Sequence, residues 1–92
     1  MAAMPRIVFT PQLRRFVEAP DFETGELRLR DALEACFAAH PRLRGYVLDD
    51  QAHLRANVVI FIDGRRQRDA VGLSDELQAG STVHVLQALS GG

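Results

Sequence analysis

The sequence predicts an α+β domain, a mixed sheet with one main helix packed across one face, and three observations carry that prediction. Short β-rich runs stand near both ends, Arg6-Ile7-Val8-Phe9-Thr10 and Ser81 to Leu89. Between them Leu29, Leu33, Cys36 and Phe37 follow the three-, four- and seven-residue spacing of a single helical face. The most apolar run, Val58-Val59-Ile60-Phe61-Ile62, closes on Asp63-Gly64, a favoured tight-turn pair. Hairpin-forming strands cannot surround a helix, so the helix must lie on one sheet face. The first and last strands are then expected side by side and parallel at the centre.

Taken in order, Arg6 to Thr10 reads as a strand stopped by Pro11. Leu13 to Ala19, with Phe16 and Val17 before Pro20, reads as a weaker second strand paired to the first. Thr24-Gly25 opens the helix, whose polar side carries Arg28, Arg30, Asp31 and Glu34, and Pro41 ends it near His40. From Pro41 to Asn57 the spacing predicts a long connection with an irregular hairpin-like excursion. After Asp63-Gly64 a short strand through Arg66 is expected to return beside Val58–Ile62. Leu73-Ser74-Asp75-Glu76-Leu77 has capping-type residues and predicts one helical turn before Gly80. The last strand alternates Val83 and Val85 against His84. Residues 1–92 are thus expected to form a single domain of the β-grasp type, with a flexible C-terminal tail over residues 90–92.

Composition narrows the function classes. A chain of 92 residues has room for one core, with ordinary apolar (47%) and charged (25%) fractions. A formal net charge of −1 provides no long-range field for nucleic acid or an anionic membrane, so neither is expected as a partner. No segment is long and apolar enough to span a bilayer, and no secretory leader is recognisable at the start. Cys36 stands alone within the helical apolar pattern and reads as a buried inert thiol before a nucleophile. These features suit a reducing cytoplasm. Arg65-Arg66 with Arg68 reads as solvated turn surface before it reads as a binding patch. All eleven basic residues are Arg, so no side chain of the sequence offers an amine for an isopeptide link.

No self-contained catalytic constellation emerges, so the chain is not expected to be an enzyme. His40, His53 and His84 are isolated from metal-ligand spacing with Cys, Asp or Glu, and no metal site is expected. There is no phosphate-cradling glycine loop and no nucleophile elbow. His40 reads as a helix-end residue near the last carbonyls, and His53 as loop surface. The ending Ser90-Gly91-Gly92 follows a strand directly. It reads either as a frayed terminus or as a tail built for another enzyme. Glycine has no Cβ and lets the backbone pass a narrow channel to a bound nucleotide.

The run Ser81-Thr82-Val83-His84-Val85-Leu86-Gln87-Ala88-Leu89-Ser90-Gly91-Gly92 resembles the last strand and tail of ubiquitin-like proteins. Ile60-Phe61-Ile62-Asp63-Gly64-Arg65 and Leu73-Ser74-Asp75 resemble the central strand, turn and following loop of the same fold. The Leu-Ser-Gly-Gly ending and the Val-Ile-Phe-Ile-Asp-Gly strand look most like the bacterial MoaD/ThiS sulfur-carrier family, with Leu29-Arg30-Asp31-Ala32-Leu33 a weaker match in the helix. The resemblance implies that an ATP-dependent, ubiquitin-activating-like enzyme adenylates Gly92. Sulfur from a persulfide on a donor protein then replaces AMP and leaves a thiocarboxylate, with Gly91 and Ser90 giving access to the tail. No cofactor is bound by the carrier itself, and ATP is used by its activating partner. The acceptor implied is a molybdopterin synthase large subunit, this chain being the small subunit, or a cysteine synthase type of enzyme. The long 41–57 connection is closer to those two branches than to the thiamine carrier.

Period-2 alternation adds a surface to the tail. With Ile60 and Ile62 facing the helix, Val59 and Phe61 fall on the outer face; with Val83 and Val85 inward, His84 and Leu86 do likewise. Val59, Phe61, His84 and Leu86 are therefore the candidate partner-binding patch, with His84 a contact residue rather than an acid or base. Two other classes stay open: a ubiquitin-like modifier joined to targets through Gly92, and a non-catalytic β-grasp interaction module in which the two glycines are incidental.

Overall fold

The first strand, β1 (Arg6–Phe9), lies beside the last, β5 (Thr82–Gln87), and the two run parallel from Arg6↔Thr82 to Phe9↔Val85. The computed structural model describes residues 3–87. Outside this pair stand β2 (Phe22–Glu23), next to β1, and then β3 (Val58–Ile62) and β4 (Arg65–Arg66), beyond β5. The strand order is β2-β1-β5-β3-β4, with every pairing except β1–β5 antiparallel. One helix, α1 (Leu29–Ala39), buries Leu29, Ala32, Leu33, Cys36 and Phe37, the one-face spacing read from the sequence. They share a core with Ile7, Phe9, Val58, Ile60, Val83 and Val85 of the sheet. The chain is thus the α+β, ubiquitin-like β-grasp that the strand–helix order implied.

The second strand is not where the apolar run suggested. Leu13–Arg15 is a 3-10 turn, and β2 comes later, pairing Phe22 with Ile7 and Glu23 with Arg6. Leu13, Val17 and Ala19 are buried as a plug at the end of the sheet, while Phe16 is 62% exposed. Arg14 holds this loop closed, donating to the Ala19 carbonyl (3.1 Å) and to Asp21 (2.9 Å). A buried apolar run whose backbone follows a loop carries the same residue types as a strand, and pattern alone does not separate them.

The helix begins at Leu29 rather than at Thr24-Gly25. Arg28, at its N-cap, makes no side-chain cap; the Leu29 and Arg30 N–H groups donate instead to the carbonyls of Asp75 (2.9 Å) and Leu73 (2.8 Å). These are first-turn donors that the helix itself cannot satisfy. Upstream, Thr24 N–H bonds the Pro5 carbonyl, and Arg28 bridges Glu76, so that the stretch is extended. The same contacts explain why 73–77 is no helical turn. Leu73 has φ +52°, outside the right-handed helical region, and its side chain is fully buried. Asp69 gathers the loop, accepting from the N–H groups of Val71, Gly72 and Ser74 and from the Ser74 hydroxyl (2.7 Å). Asp75 accepts from the Arg68 and Asp69 N–H groups. The capping-type residues shape a loop that caps another helix.

Pro41 does end α1, yet it also begins a second helix, α2 (Pro41–Val47), at a position where its missing N–H costs nothing. Leu43 and Val47, four apart, are both buried. Only residues 48–54 make the hairpin-like excursion, with Leu48 bridged to Leu54 and Asp49 N–H bonded to the His53 carbonyl (2.8 Å). His40 closes α1 through its backbone N–H to the Cys36 carbonyl (2.8 Å), while its ring meets Phe22 edge-on. The Asp63-Gly64 turn is as read: both residues have positive φ, +51° and +85°, the tight two-residue hairpin. Beyond β4, Gln67 extends the ladder with its side chain: its N–H donates to the Ile60 carbonyl and its Oε1 accepts the Ile60 N–H, both at 2.8 Å.

Leu33→Ala, which empties a fully buried site under the sheet, is expected to destabilise the fold by about 2–5 kcal/mol in denaturant unfolding. Acid should also weaken it. The Ser74 hydroxyl, then the Gly72 N–H, holds Asp69 down to about 2. Asp21 is lowered chiefly by Arg6, Asp49 by the His53 N–H, and Asp63 by the Thr82 N–H. All four bind protons more weakly folded than unfolded, so their stabilisation is complete above the ordinary value of 3.8 and disappears as pH falls, for Asp69 through about 2. Thermal melts between neutral pH and strong acid are expected to show the loss in that window, and Asp69→Asn to flatten it.

Candidate functional site

Two features of the sheet position the candidate site, the outward face of β3 and β5 and the end at which β5 leaves. On β5, Val83 and Val85 are buried against the helix layer, which turns His84 and Leu86 outward. On β3, Val58 and Ile60 are buried, which turns Val59 and Phe61 outward. The antiparallel register sets Val59 opposite Leu86 and Phe61 opposite His84. Directly opposed side chains on one face stand about 4.5–5.5 Å apart at Cβ. The four residues of the candidate patch are therefore brought together, two on each strand. Val59 and Phe61 are half-buried, and His84 and Leu86 are exposed.

The register enlarges the patch on both sides. Val8 of β1 pairs with His84, and Arg66 of β4 pairs with Phe61. A transverse row Val8, His84, Phe61, Arg66 thus crosses four strands on the outer face. Sequence reading missed Val8 and Arg66. Val8 does carry a signal, an apolar residue at an outward position between buried Ile7 and Phe9. Arg66 follows from the hairpin alone, because a two-residue turn at 63–64 sets 61 opposite 66.

β5 is pinned where it starts and one-sided where it ends. Asp63 accepts from the Ser81 hydroxyl (2.7 Å) and the Thr82 N–H (2.9 Å), while its own N–H donates to the Thr82 carbonyl (3.0 Å). These bonds lock the strand's register against the β3–β4 turn. At the other end, Thr10 N–H makes the last described β1 bond, to the Val85 carbonyl (3.1 Å), and Pro11 turns the chain away. Among the described residues, Leu86 and Gln87 then have strand partners only in β3, at Val59 and Val58. The strand leaves its parallel neighbour just before the C-terminal segment. Ser90, Gly91 and Gly92, the expected tail, lie outside the described residues.

Cys36 is fully buried in the core, where burial pushes its thiol up to about 11. His40 stands at the α1–α2 junction and His53 beside Asp49, both away from His84. Among the described residues no group of His, Cys, Asp and Glu gathers that could hold a metal ion, and no helix is long and apolar enough to cross a membrane.

A family model described as the ThiS family matches residues 7–92. Among solved structures, the small archaeal modifier protein SAMP1 from Haloferax volcanii is 22% identical, with a TM-score of 0.79 over 98% of this chain and 100% of that one. A chain of the BexX/CysO complex from Amycolatopsis orientalis is 17% identical, with a TM-score of 0.79 over 96% of this chain and 99% of that one. Urm1 from Sulfolobus solfataricus is 13% identical, with a TM-score of 0.68 over 90% and 99% of the two chains. At such identities the likeness is one of fold. No curated protein matches the sequence.

The inward and outward assignments on β3 predict opposite responses to truncation. Ile60→Ala should cost about 2–5 kcal/mol as a core deletion. Phe61→Ala should cost well under that in the same denaturant titration. A larger loss at Phe61 than at Ile60 would reverse the two faces.

Proposed function

The chain belongs to the ThiS family of small ubiquitin-like sulfur carriers, proteins that are carriers rather than enzymes, and we propose that its working group is the carboxylate of Gly92. An adenylating enzyme of the ubiquitin-activating type joins this carboxylate to AMP from ATP, releasing pyrophosphate. A carboxylate is a poor electrophile, whereas the mixed anhydride is attacked readily. The terminal sulfur of a donor protein's persulfide attacks the acyl carbon, AMP leaves with the bonding pair, and a thiol cleaves the remaining S–S bond to free the thiocarboxylate. ATP is the activating enzyme's substrate, and the sulfur travels as the carrier's terminal group. An acceptor enzyme then takes it, of the molybdopterin synthase large-subunit or cysteine synthase type. The setting that provides ATP and reduced thiols is the cytoplasm.

The observation that carries this reading is the family match over residues 7–92, which includes the Gly91-Gly92 ending. The geometry supports it. Val59, Phe61, His84 and Leu86 would give the activating enzyme a face to hold, on β5, which leads to the tail, and on its neighbour β3. Gly91 and Gly92 have no side chain to obstruct passage to the nucleotide, and Ser90 adds little.

A second reading, protein modification through Gly92, is favoured by the structural likeness to a small archaeal modifier protein. Since the sequence contains no Lys, each modified target lysine would then carry a single copy, never a lysine-linked chain of copies. A bare interaction module is the third reading, in which deletion of Gly91 and Gly92 leaves function intact.

The intact mass of protein isolated from its host under non-reducing conditions tests the proposal. A subpopulation heavier by one sulfur-for-oxygen exchange at the C-terminal peptide is expected, and one bulky residue added after Gly92 should abolish it without changing the melting temperature. A plain carboxylate that persists with host extract, ATP and a sulfur source would overturn the carrier reading; conjugates on other proteins would then favour the modifier.

A further inference from the structure

We propose that the groove beside β4 receives an acidic segment of a protein partner, held by the guanidinium groups of Arg65, Arg66 and Arg68. The open groove, about 520 Å³, runs between β4 and the 69–76 loop, with Ile62 in its lining. All three arginines are exposed. Among the described residues the ion pairs are Arg6–Asp21, Arg14–Asp21 and Arg44–Glu34, and none involves these three.

The contrast across the sheet is informative. Arg6, on β1 at the opposite side of the outer face, is neutralised by Asp21, which Arg14 also engages. On the β4 side the guanidinium groups remain without an ion pair although Asp69, Asp75 and Glu76 line the same groove. Asp69 and Asp75 have other work, and the exposed Glu76 also lines the neighbouring hollow beside Arg28 and Asp31. Asp69 accepts from three backbone N–H groups and the Ser74 hydroxyl, and Asp75 accepts from the Arg68 and Asp69 N–H groups. Turning either toward an arginine would leave backbone donors unpaired. The basic wall is therefore left for a carboxylate from outside, and arginine suits it, since its planar fork binds carboxylates two bonds at a time.

The groove is continuous with the outer-face patch, because Arg66 is the direct cross-strand neighbour of Phe61. The backbone adds to it. Gln67 N–H points toward β3, to the Ile60 carbonyl. By strand alternation the N–H and C=O of Arg66 point the other way, into the groove, where an extended acidic segment can bond them. The complementary partner surface is an apolar centre over Phe61 and Leu86 with an acidic rim at β4. That the partner is the adenylating enzyme rests on the carrier reading; the chemistry of the groove stands without it.

The test titrates isotope-labelled full-length protein with an octaglutamate peptide, with octalysine and inorganic phosphate as parallel probes, and follows backbone amide resonances. Expected are shifts confined to Ile62 and residues 65–69, caused by octaglutamate only, reversed by salt, and absent from the variant combining Arg65→Glu, Arg66→Glu and Arg68→Glu. The corresponding triple Gln variant is expected to behave the same way, and it removes charge without introducing repulsion. An equal response to phosphate, which would mark a simple anion site, overturns the proposal. So do shifts spread equally over Arg28, Arg42 and Arg55. With the host's purified adenylating enzyme, the triple Glu variant should associate about tenfold more slowly at low salt, and the gap should close at high salt. An unchanged rate and salt slope removes that enzyme as the occupant. Octaglutamate binding in a chain that never gains sulfur would sink the carrier reading and leave the groove standing.

Discussion

The parallel pairing of β1 with β5 is the constraint on which the rest of the molecule depends, because it joins segments more than seventy residues apart at the centre of the sheet. Neither strand could be central alone. β1 has four residues and β2 covers only two of them, whereas β5 is flanked by β1 on one side and by all five residues of β3 on the other. Once β5 is central, Val83 and Val85 must meet α1, and His84 and Leu86 must face outward, since a strand alternates its faces with a period of two. The Asp63 carboxylate, fixed by Ser81 and Thr82, keeps that alternation from slipping by one residue. The same parallel geometry brings the end of β1 and the exit of β5 to one end of the sheet, where Pro11 turns the chain aside.

The second constraint is the accounting of backbone donors. α1 starts without a capping side chain, and its first N–H groups are satisfied by carbonyls of residues 73 and 75. Arg30 returns the favour, donating to the carbonyls of Ala52, Val71 and Gly72. Helix and loop therefore hold each other, and the left-handed Leu73 is the local strain this arrangement tolerates. Gln67 does for the sheet what the loop does for the helix, closing the edge of β3 beyond the short β4. An edge closed by a side chain is less open to pairing with other chains.

These constraints leave a body whose chemistry is turned off and whose surfaces are graded. The sole thiol is sealed in the core, and no lysine offers an amine. What remains on the outer face is a small apolar field with a basic margin at β4.

The sequence by itself determined what depends on neighbours close in the chain. The faces of α1, the hairpin at Asp63-Gly64, and the outward turn of Val59, Phe61, His84 and Leu86 all follow from periodicity and turn chemistry over a few residues. So does the family resemblance, which rests on Ile60–Arg65 and the ending. The tertiary structure alone decided what depends on distant donors. Whether Leu13–Ala19 would be strand or plug turned on Arg14, Ala19 and Asp21. Whether 73–77 would be a helical turn turned on the open N–H groups of α1, over forty residues away. Whether Pro41 would only stop a helix, or also start one, turned on the room for Leu43 and Val47 in the core. Placing Val8 beside the patch needed the strand order as well. Local pattern fixes which way a side chain points; pairing between remote segments fixes what it points at.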